Sequence, residues 1–365
     1  RIVVPNGDGG TTNVNAGGAA YLAHHLQKLR EENPEHTVVV SAGDLIGASP
    51  LVSGIFHDEP TIEVMNMMGL DLNSVGNHEF DQGRDDLTER VVDRAEFPYL
   101  AANVRVGSET GPLLMEGEGH DGNGAYELFE RDGVSFAVIG AVTQATPSKL
   151  APSATEGLVF TDPVAEVNAV AEDLAASGEA DVIIAAYHDG SASQTQAESD
   201  RFWTETSEEV DVIFGGDTHA EYTVSEDVDG DGTHDRAYMQ TGSYMANLGK
   251  VEVTYDAEAD DVDLVPTLTS YDEFIAGQTP EQLVASSPRT AEVDRIVDEA
   301  TATAEQIGST PAGQITGDAG TEFTGADLAT KLKLMGVDVA SFGDAFGSAD
   351  GSLSVVYADP VAGVY

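Results

Sequence analysis

Apolar positions along this chain switch between two periods. Leu22, Leu26 and Leu29 follow Gly17-Gly18 at i, i+4 and i+7 spacing, which predicts a helix ended by Pro34. Thr37-Val38-Val39-Val40-Ser41-Ala42 predicts a buried strand, with Asp44 just past its end. A helix is expected from Pro60 to Met68, with proline at its first position. Val75 closes the next short strand, and Asn77-His78 follow it. The alternation continues with a strand over 134–142, a helix over 163–176, a strand over 181–187 ending at His188, a helix over 194–206 and a strand over 210–214. That last strand runs into Gly215-Gly216-Asp217. From residue 237 the pattern is strands only, over 237–241, 250–255 and 262–268. Residues 1–16 read as a loop rich in Gly, Asn and Asp. Alternating strands and helices followed by hairpin-like strands predict an α/β layered fold.

Past residue 276 the pattern thins. Residues 277–290 read as a Gly/Gln/Thr/Pro/Ser linker, and Thr290 to Gln306 as a helix capped by Thr290. The expected division is a domain over 1–275, a connecting helix with the start of a second domain over 276–322, and a tail over 323–365. The tail holds 5 acidic and 2 basic residues, leaving 60 of the 65 acids and 14 of the 16 bases to the rest. These counts are too small by themselves to mark the tail as foreign, and an ordinary helix-plus-hairpin extension competes with that reading.

Composition narrows the partners. The net charge is −49, so the chain should repel nucleic-acid backbones and anionic membranes. An acidic coat suits work in high salt, where the Debye length falls to about 3 Å at 1 M. The unfolding midpoint is therefore expected to rise between low and molar salt. Cysteine is absent, which excludes disulfides and thiolate metal sites. No run of about 18 apolar residues predicts a membrane span. Arg1 is not an initiator methionine, so the expected native start lies upstream.

Asp44, Asn77, His188, Asp217 and His219 all follow predicted strands. A carboxylate at such a place can bridge two cations, with Gly43 beside Asp44 leaving room; its plainer reading is a turn cap. Oxygen ligation through Asp217 would favour Mg, Mn or Ca over Zn. His78 and Asp81 sit three residues apart, so the carboxylate can orient the ring and favour its cationic form. Asp227, Asp229, Asp231 and Asp235 have calcium-loop spacing with Gly232 at position 6, but position 12 is Tyr238 and a solvated turn competes with it. Histidines 24, 25, 36, 57, 120 and 234 read as surface or packing residues.

The runs Gly43-Asp44-Leu45-Ile46-Gly47, Gly76-Asn77-His78-Glu79-Phe80-Asp81, Tyr187-His188-Asp189-Gly190 and Gly216-Asp217-Thr218-His219 together resemble the calcineurin-like metallophosphoesterases, and within them the 5′-nucleotidase family, over roughly residues 1–318. The resemblance implies a four-layer α/β/β/α sandwich and two divalent metal ions. It implies Asp44 as bridging ligand, Asn77 and His188 on one ion and His219 on the other. It implies His78 at the phosphate, and Asn103 as a polar residue near the substrate. The substrate implied is a small phosphate ester or nucleotide, in a secreted, periplasmic or cell-surface protein. Relatives with the same centre cleave 2′,3′-cyclic nucleotides or nucleotide sugars. Two departures stand out. Asp217 replaces a histidine, and the family's Asp-x-His after its first strand is missing, so that strand is expected to lie outside the sequence. An inactive, acidic cation-binding fragment is therefore the reading of another class. The tail resembles a segment of the large subunit of FAD-dependent nitrite reductase, without a Gly-rich cofactor motif, so no redox chemistry is expected of it.

Overall fold

The computed structural model describes residues 2–5, 11–14, 18–115, 124–131, 133–228, 230–258, 261–270, 273, 277–308, 313–314, 322–323, 329–334, 337–342 and 355–358. Numbered along the chain, the strands are β1 (Ile2–Pro5), β2 (Thr11–Val14), β3 (Val40–Ser41), β4 (Leu72–Ser74), β5 (Tyr99–Leu100), β6 (Val104–Val106), β7 (Tyr126–Arg131), β8 (Val134–Val142), β9 (Leu158–Phe160), β10 (Val182–His188), β11 (Val212–Phe214), β12 (Glu221–Glu226), β13 (Arg236–Thr241), β14 (Asn247–Asp256) and β15 (Asp261–Ser270). The larger sheet runs β12-β13-β11-β10-β8-β7. Its four inner strands are parallel, and β7 and β12 join antiparallel at the edges. The smaller sheet is β3-β4-β5, all parallel.

Alternation along β10 shows how the layers are built. Ile183, Ala185 and Tyr187 enter one core with Val164, Val167, Ala171 and Leu174 of the helix Pro163–Ser177. Ala186 faces the other way and meets Leu72 and Leu100 of the smaller sheet. This is the period of two of a strand. Beyond the smaller sheet, the helices Ala19–Glu32, Glu59–Met68 and Pro288–Gly308 contribute Ala23, Leu26, Ile62, Met65, Val293 and Ile296 to a further core. The order is helices, small sheet, large sheet, helices, as expected. Each fully buried Leu, Ile or Val here contributes about 1.5–3 kcal/mol. Every parallel strand of both sheets points its C-terminal end the same way within its sheet, and His188 extends the even-numbered side of β10 toward the smaller sheet.

Several local expectations are corrected. Residues 2–5 and 11–14 form a two-stranded antiparallel hairpin instead of a loop. The strand expected over 37–42 is only Val40–Ser41. The helix expected over 194–206 is two short helices, Gln194–Ala197 and Arg201–Thr204. Asp200 interrupts it by accepting from Phe202 N at 2.9 Å, a side-chain cap that starts the second piece. Phe202 and Trp203 are buried and fix its register. The linker contains the short helix Pro280–Val284. The cap of the long helix is Ser287, whose Oγ accepts from Thr290 N at 3.0 Å; Thr290 itself is buried. In the tail, Ala329–Leu334, Val337–Phe342 and Val355–Ala358 form a three-stranded antiparallel sheet. Among the described residues, no helix is long and apolar enough to cross a membrane.

Candidate metal centre

The loops after β3, β4, β10 and β11 meet at the C-terminal ends of the two sheets. Two glycines permit the approach. A Cβ on Gly76 would lie 2.3 Å from Asp44 Oδ1, and one on Gly43 would lie 2.5 Å from His188 Nδ1. Asp44, Asp217 and His219 all have left-handed backbone, with φ of 60°, 62° and 60°. Such conformations are uncommon outside glycine and are held only where surrounding structure imposes them.

What imposes Asp44 is Glu79, a residue whose role the sequence reading missed. Its carboxylate is buried, and Oε2 accepts from Asp44 N at 2.9 Å and Gly76 N at 2.7 Å. Oε1 accepts from Leu45 N at 2.8 Å. One side chain thus ties the Asp44 and Gly76 turns together. Burial, with the Asp44 charge adding to it, pushes the Glu79 carboxyl well above the usual range. The signal available was position alone, between His78 and Phe80 in a run dense with polar residues.

Asp44 Oδ1 accepts from His78 N at 2.9 Å, and Oδ2 lies 3.1 Å from His188 Nε2. His188 Nδ1 lies 2.7 Å from Ala42 O. Both ring nitrogens therefore face oxygen acceptors, the pattern of an imidazolium. Burial alone would lower the His188 pKa, but its hydrogen bond and charge contact with Asp44, and the charge of Glu79, raise it. Burial alone would raise Asp44; the same His188 contacts and the His78 charge hold it below its usual range.

Asp217 closes the group. Its Oδ1 is 3.7 Å from His188 Nε2. In the orientation that satisfies both its amide atoms, Asn77 donates to Asp217 Oδ1 at 3.0 Å and accepts from His78 N at 3.2 Å. The Lys149 ammonium contacts both Asp217 oxygens. Asp189, next to His188, has its carboxyl raised by burial, with the Asp217 charge adding to it. Asp189 lies within the run Tyr187-His188-Asp189-Gly190, whereas Lys149 carries no motif that would have singled it out.

His78 stands at the rim, with its Nδ1 3.1 Å from each carboxylate oxygen of Asp81. Asp81 is in turn held by Ala48 N at 2.8 Å. The pair expected from the sequence is formed.

Other expected residues stand apart. His219 is exposed, edge-on to Tyr244 with ring centroids 5.5 Å apart, and among the described residues no hydrogen bond or ion pair joins it to Asp44. Asn103 is buried and spends its amide on backbone: it donates to Val142 O at 2.7 Å and Thr161 O at 3.0 Å, and accepts from Val142 N at 2.9 Å. It braces the end of β8, and this replaces the substrate contact expected of it. In the acidic loop, Asp227 accepts from Gly230 N at 2.7 Å and Gly232 N at 3.1 Å, Asp231 from Thr233 N at 2.8 Å, and Asp235 from Val228 N at 2.7 Å. These carboxylates are used as turn acceptors; Asp229 lies outside the described residues.

Among the described residues, no three His, Asp or Glu side chains surround one point as ligands. The donors engage each other and Lys149 instead. The chemistry of the set nevertheless fits a divalent cation: two carboxylates and an imidazole whose Nδ1 is fixed by a carbonyl so that Nε2 is the ligating atom, while Asn77 would have to turn its amide oxygen away from His78 N to join them. Loss of the Nε2 proton would turn these contacts toward an ion.

Residues 14–221 match the model of the calcineurin-like phosphoesterase family, which is more than half of the chain. The chain is 31% identical over 266 residues to the endonuclease YhcR of Bacillus subtilis, covering 69% of this chain and 20% of that protein. It is 33% identical over 169 residues to a 5′-nucleotidase of Vibrio cholerae, covering 46% of this chain and 29% of that one. It thus spans less than a third of either relative. Among solved structures, the NAD nucleotidase NadN of Haemophilus influenzae aligns with a TM-score of 0.61 at 22% identity, over 87% of this chain and 59% of that one, a likeness of fold. By the extent of the family match, this chain belongs to the calcineurin-like phosphoesterases.

Proposed function

We propose that this chain hydrolyses phosphate esters, with nucleoside 5′-monophosphates as the first substrates to test. The observation that carries the reading is the meeting of Asp44, Asn77, His188 and Asp217 from four separate strand ends, with His78 beside them. When bound there, a divalent ion supplies Lewis-acid polarisation of a phosphoryl oxygen and acidifies water. Asp44, Asn77 and His188 would hold it, with Asp217 alongside. Glu79 keeps the Asp44 and Gly76 turns in register, so the carboxylate does not have to reorganise during reaction. Asp81 holds His78 through Nδ1, which leaves Nε2 as the atom to pass a proton to the departing oxygen. The acidic surface argues for small substrates over nucleic acid. An exported or surface location belongs to the same proposal.

The test is a panel of 5′-AMP, UDP-glucose, 2′,3′-cyclic AMP and p-nitrophenyl phosphate with Mn, Mg and Zn. Preferred release of phosphate from 5′-AMP is expected. Preference for the cyclic nucleotide or nucleotide sugar would move the substrate to those diesters. No turnover with any metal would overturn the enzyme reading in favour of an acidic cation binder.

A further inference from the structure

We propose that Gln240 is a positioning residue of this centre: through Thr218 and Ser191 it locks the turn after His188 to the turn that carries Asp217 and His219. The inference rests on the phosphoesterase reading and adds a residue to it. Glu79 ties two turns of the smaller sheet; Gln240 does the same for two turns of the larger one. Thr218 Oγ1 lies 2.7 Å from Ser191 O and 2.9 Å from Gln240 Oε1. A hydroxyl has one proton and cannot serve both acceptors. With the amide turned end for end, Nε2 donates to Thr218 Oγ1 and Thr218 donates to Ser191 O. The same turn gives Nε2 a partner, which it lacks among the described residues in the first orientation. Gln240, Thr218 and Ser191 then form a one-way relay from β13 into both turns.

The placement follows from the strands. Tyr238 and Gln240 share a face of β13, and Tyr222 of β12 lies directly opposite Gln240. All three are buried. Their polar tips collect around Gly190, where a Cβ would lie 2.6 Å from Tyr222 Oη, 2.9 Å from Gln240 Oε1 and 3.3 Å from Tyr238 Oη. Ser191 N donates to Tyr238 Oη at 3.0 Å and to Tyr222 Oη at 3.2 Å. Both backbone groups of Ser191 are thus held by side chains, close behind His188 in the chain. The two turns also meet directly, since Gly216 N donates to Asp189 O at 2.9 Å. A buried polar cluster of this kind fixes one arrangement, because any slip leaves a polar group unpaired away from water. What the relay resists is displacement of Asp217 Oδ1 from its place 3.7 Å from His188 Nε2. Gln240 is itself covered, so it acts through Thr218 and not on substrate.

The experiment compares the full chain with Gln240→Met, Thr218→Val, Thr218→Ser and a double variant that combines the first two. Hydrogen exchange read by mass spectrometry, without metal or substrate, follows the turns. Urea titration follows the fold, and kcat and KM on p-nitrophenyl phosphate with Mn(II) follow the chemistry. Gln240→Met should keep a cooperative urea transition and speed exchange at residues 189–191 and 216–219, leaving 44–47 and 76–79 as in the parent. It should lower kcat about tenfold with KM within about threefold, the mark of misplaced groups and not of weaker binding. Thr218→Val should do the same, and the double variant should be no worse than either single one. Thr218→Ser keeps the hydroxyl and should behave as the parent. Unchanged exchange and kcat in Gln240→Met, additive losses in the double variant, or a Thr218→Ser as impaired as Thr218→Val would overturn the inference. Exchange that quickens along the whole chain would assign Gln240 to stability alone and overturn it too. A parent without turnover would sink the phosphoesterase reading, and the exchange pattern would still decide whether Gln240 ties the turns.

Discussion

The two ends of the parallel strands use the same residue types in opposite ways. At the N-terminal ends of β4, β10 and β11 stand Asp71, Asp181 and Asp211. Each carboxylate accepts a backbone N–H from the neighbouring strand or the segment entering it: Val39 N at 2.7 Å, Ser135 N at 2.7 Å and Ile183 N at 2.8 Å. These aspartates supply acceptors where the ladder has run out of carbonyls. At the C-terminal ends stand Asp44, Asn77, His188 and Asp217, and they face each other. The difference lies in the backbone. None of the three aspartates that lead into a strand has left-handed backbone. Asp44 and Asp217 instead sit in left-handed turns after a strand, which aim their side chains into the space between the sheets. Acid content alone therefore says nothing of function here; the end of the strand decides.

The largest effect should separate the two ends of β10. His188→Ala removes a proposed metal donor, and a contribution of several kcal/mol corresponds to about a 10³-fold loss of kcat/KM on p-nitrophenyl phosphate. Asp181→Ala, at the other end of the same strand, should leave kcat/KM within about twofold while lowering stability by about 1 kcal/mol. Comparable kinetic losses in the two variants would break the contrast. Gly76→Ala comes next. The new Cβ would meet Asp44 Oδ1 at 2.3 Å, so the carboxylate must move. A displacement of this order costs about 10²-fold in rate. A fully active Gly76→Ala would show that the position of Asp44 is not critical.

Much of this was legible in the sequence, and for identifiable reasons. Asp44, Asn77 and His188 were found because each follows a short apolar, β-branched run that becomes a parallel strand. The strand end positions the residue, so reading the strand places the side chain. Glu79 and Lys149 escaped because nothing local marks them. Glu79 acts through three backbone N–H groups on two other segments, a relation that exists only after folding. Lys149 reaches Asp217 across 68 residues of sequence. His219 went the other way: its motif was clear, yet the turn that carries it leaves the ring exposed against Tyr244. Asn103 was placed near the site for the wrong reason, since its amide ties β8 to Thr161. β7 and β12 went unread because edge strands here carry charged residues such as Glu127, Arg131, Glu221 and Glu226, which hide the apolar period.

Glu79 sharpens the contrast from the C-terminal side. It is an acid at the functional end that nonetheless does the work of the N-terminal aspartates, as an acceptor for backbone N–H. Glu79→Gln keeps the shape but turns an NH2 group toward at least one of those donors. The expected cost is about 1–3 kcal/mol of unfolding free energy, read by urea titration at pH 8. Unchanged stability would mean that the Asp44 and Gly76 turns hold themselves.

The smallest effect belongs to Asp211, at the opposite end of β11 from Asp217, and it shows in pH dependence. Burial pushes the Asp211 carboxyl up to about 7, with Glu209 adding to the shift and its hydrogen bond from Ile183 N and the Arg236 charge opposing it. The ordinary value is 3.8. Between these two values the folded chain keeps a proton that the unfolded chain releases. Stability contributed by this group is therefore complete below about pH 4 and is lost as pH rises toward 7. The full swing would be about 4 kcal/mol; part of the residue still meets solvent, which reduces the expectation to about 2 kcal/mol. Asp211→Asn retains an oxygen for Ile183 N and has no charge to desolvate. Relative to the parent it should be neutral near pH 4 and more stable by about 2 kcal/mol at pH 8, with phosphatase activity unchanged at both. A difference in stability that stays constant with pH would show that Asp211 is ionised in the folded chain, and that the acids at the two ends of the strands share one electrostatic environment after all.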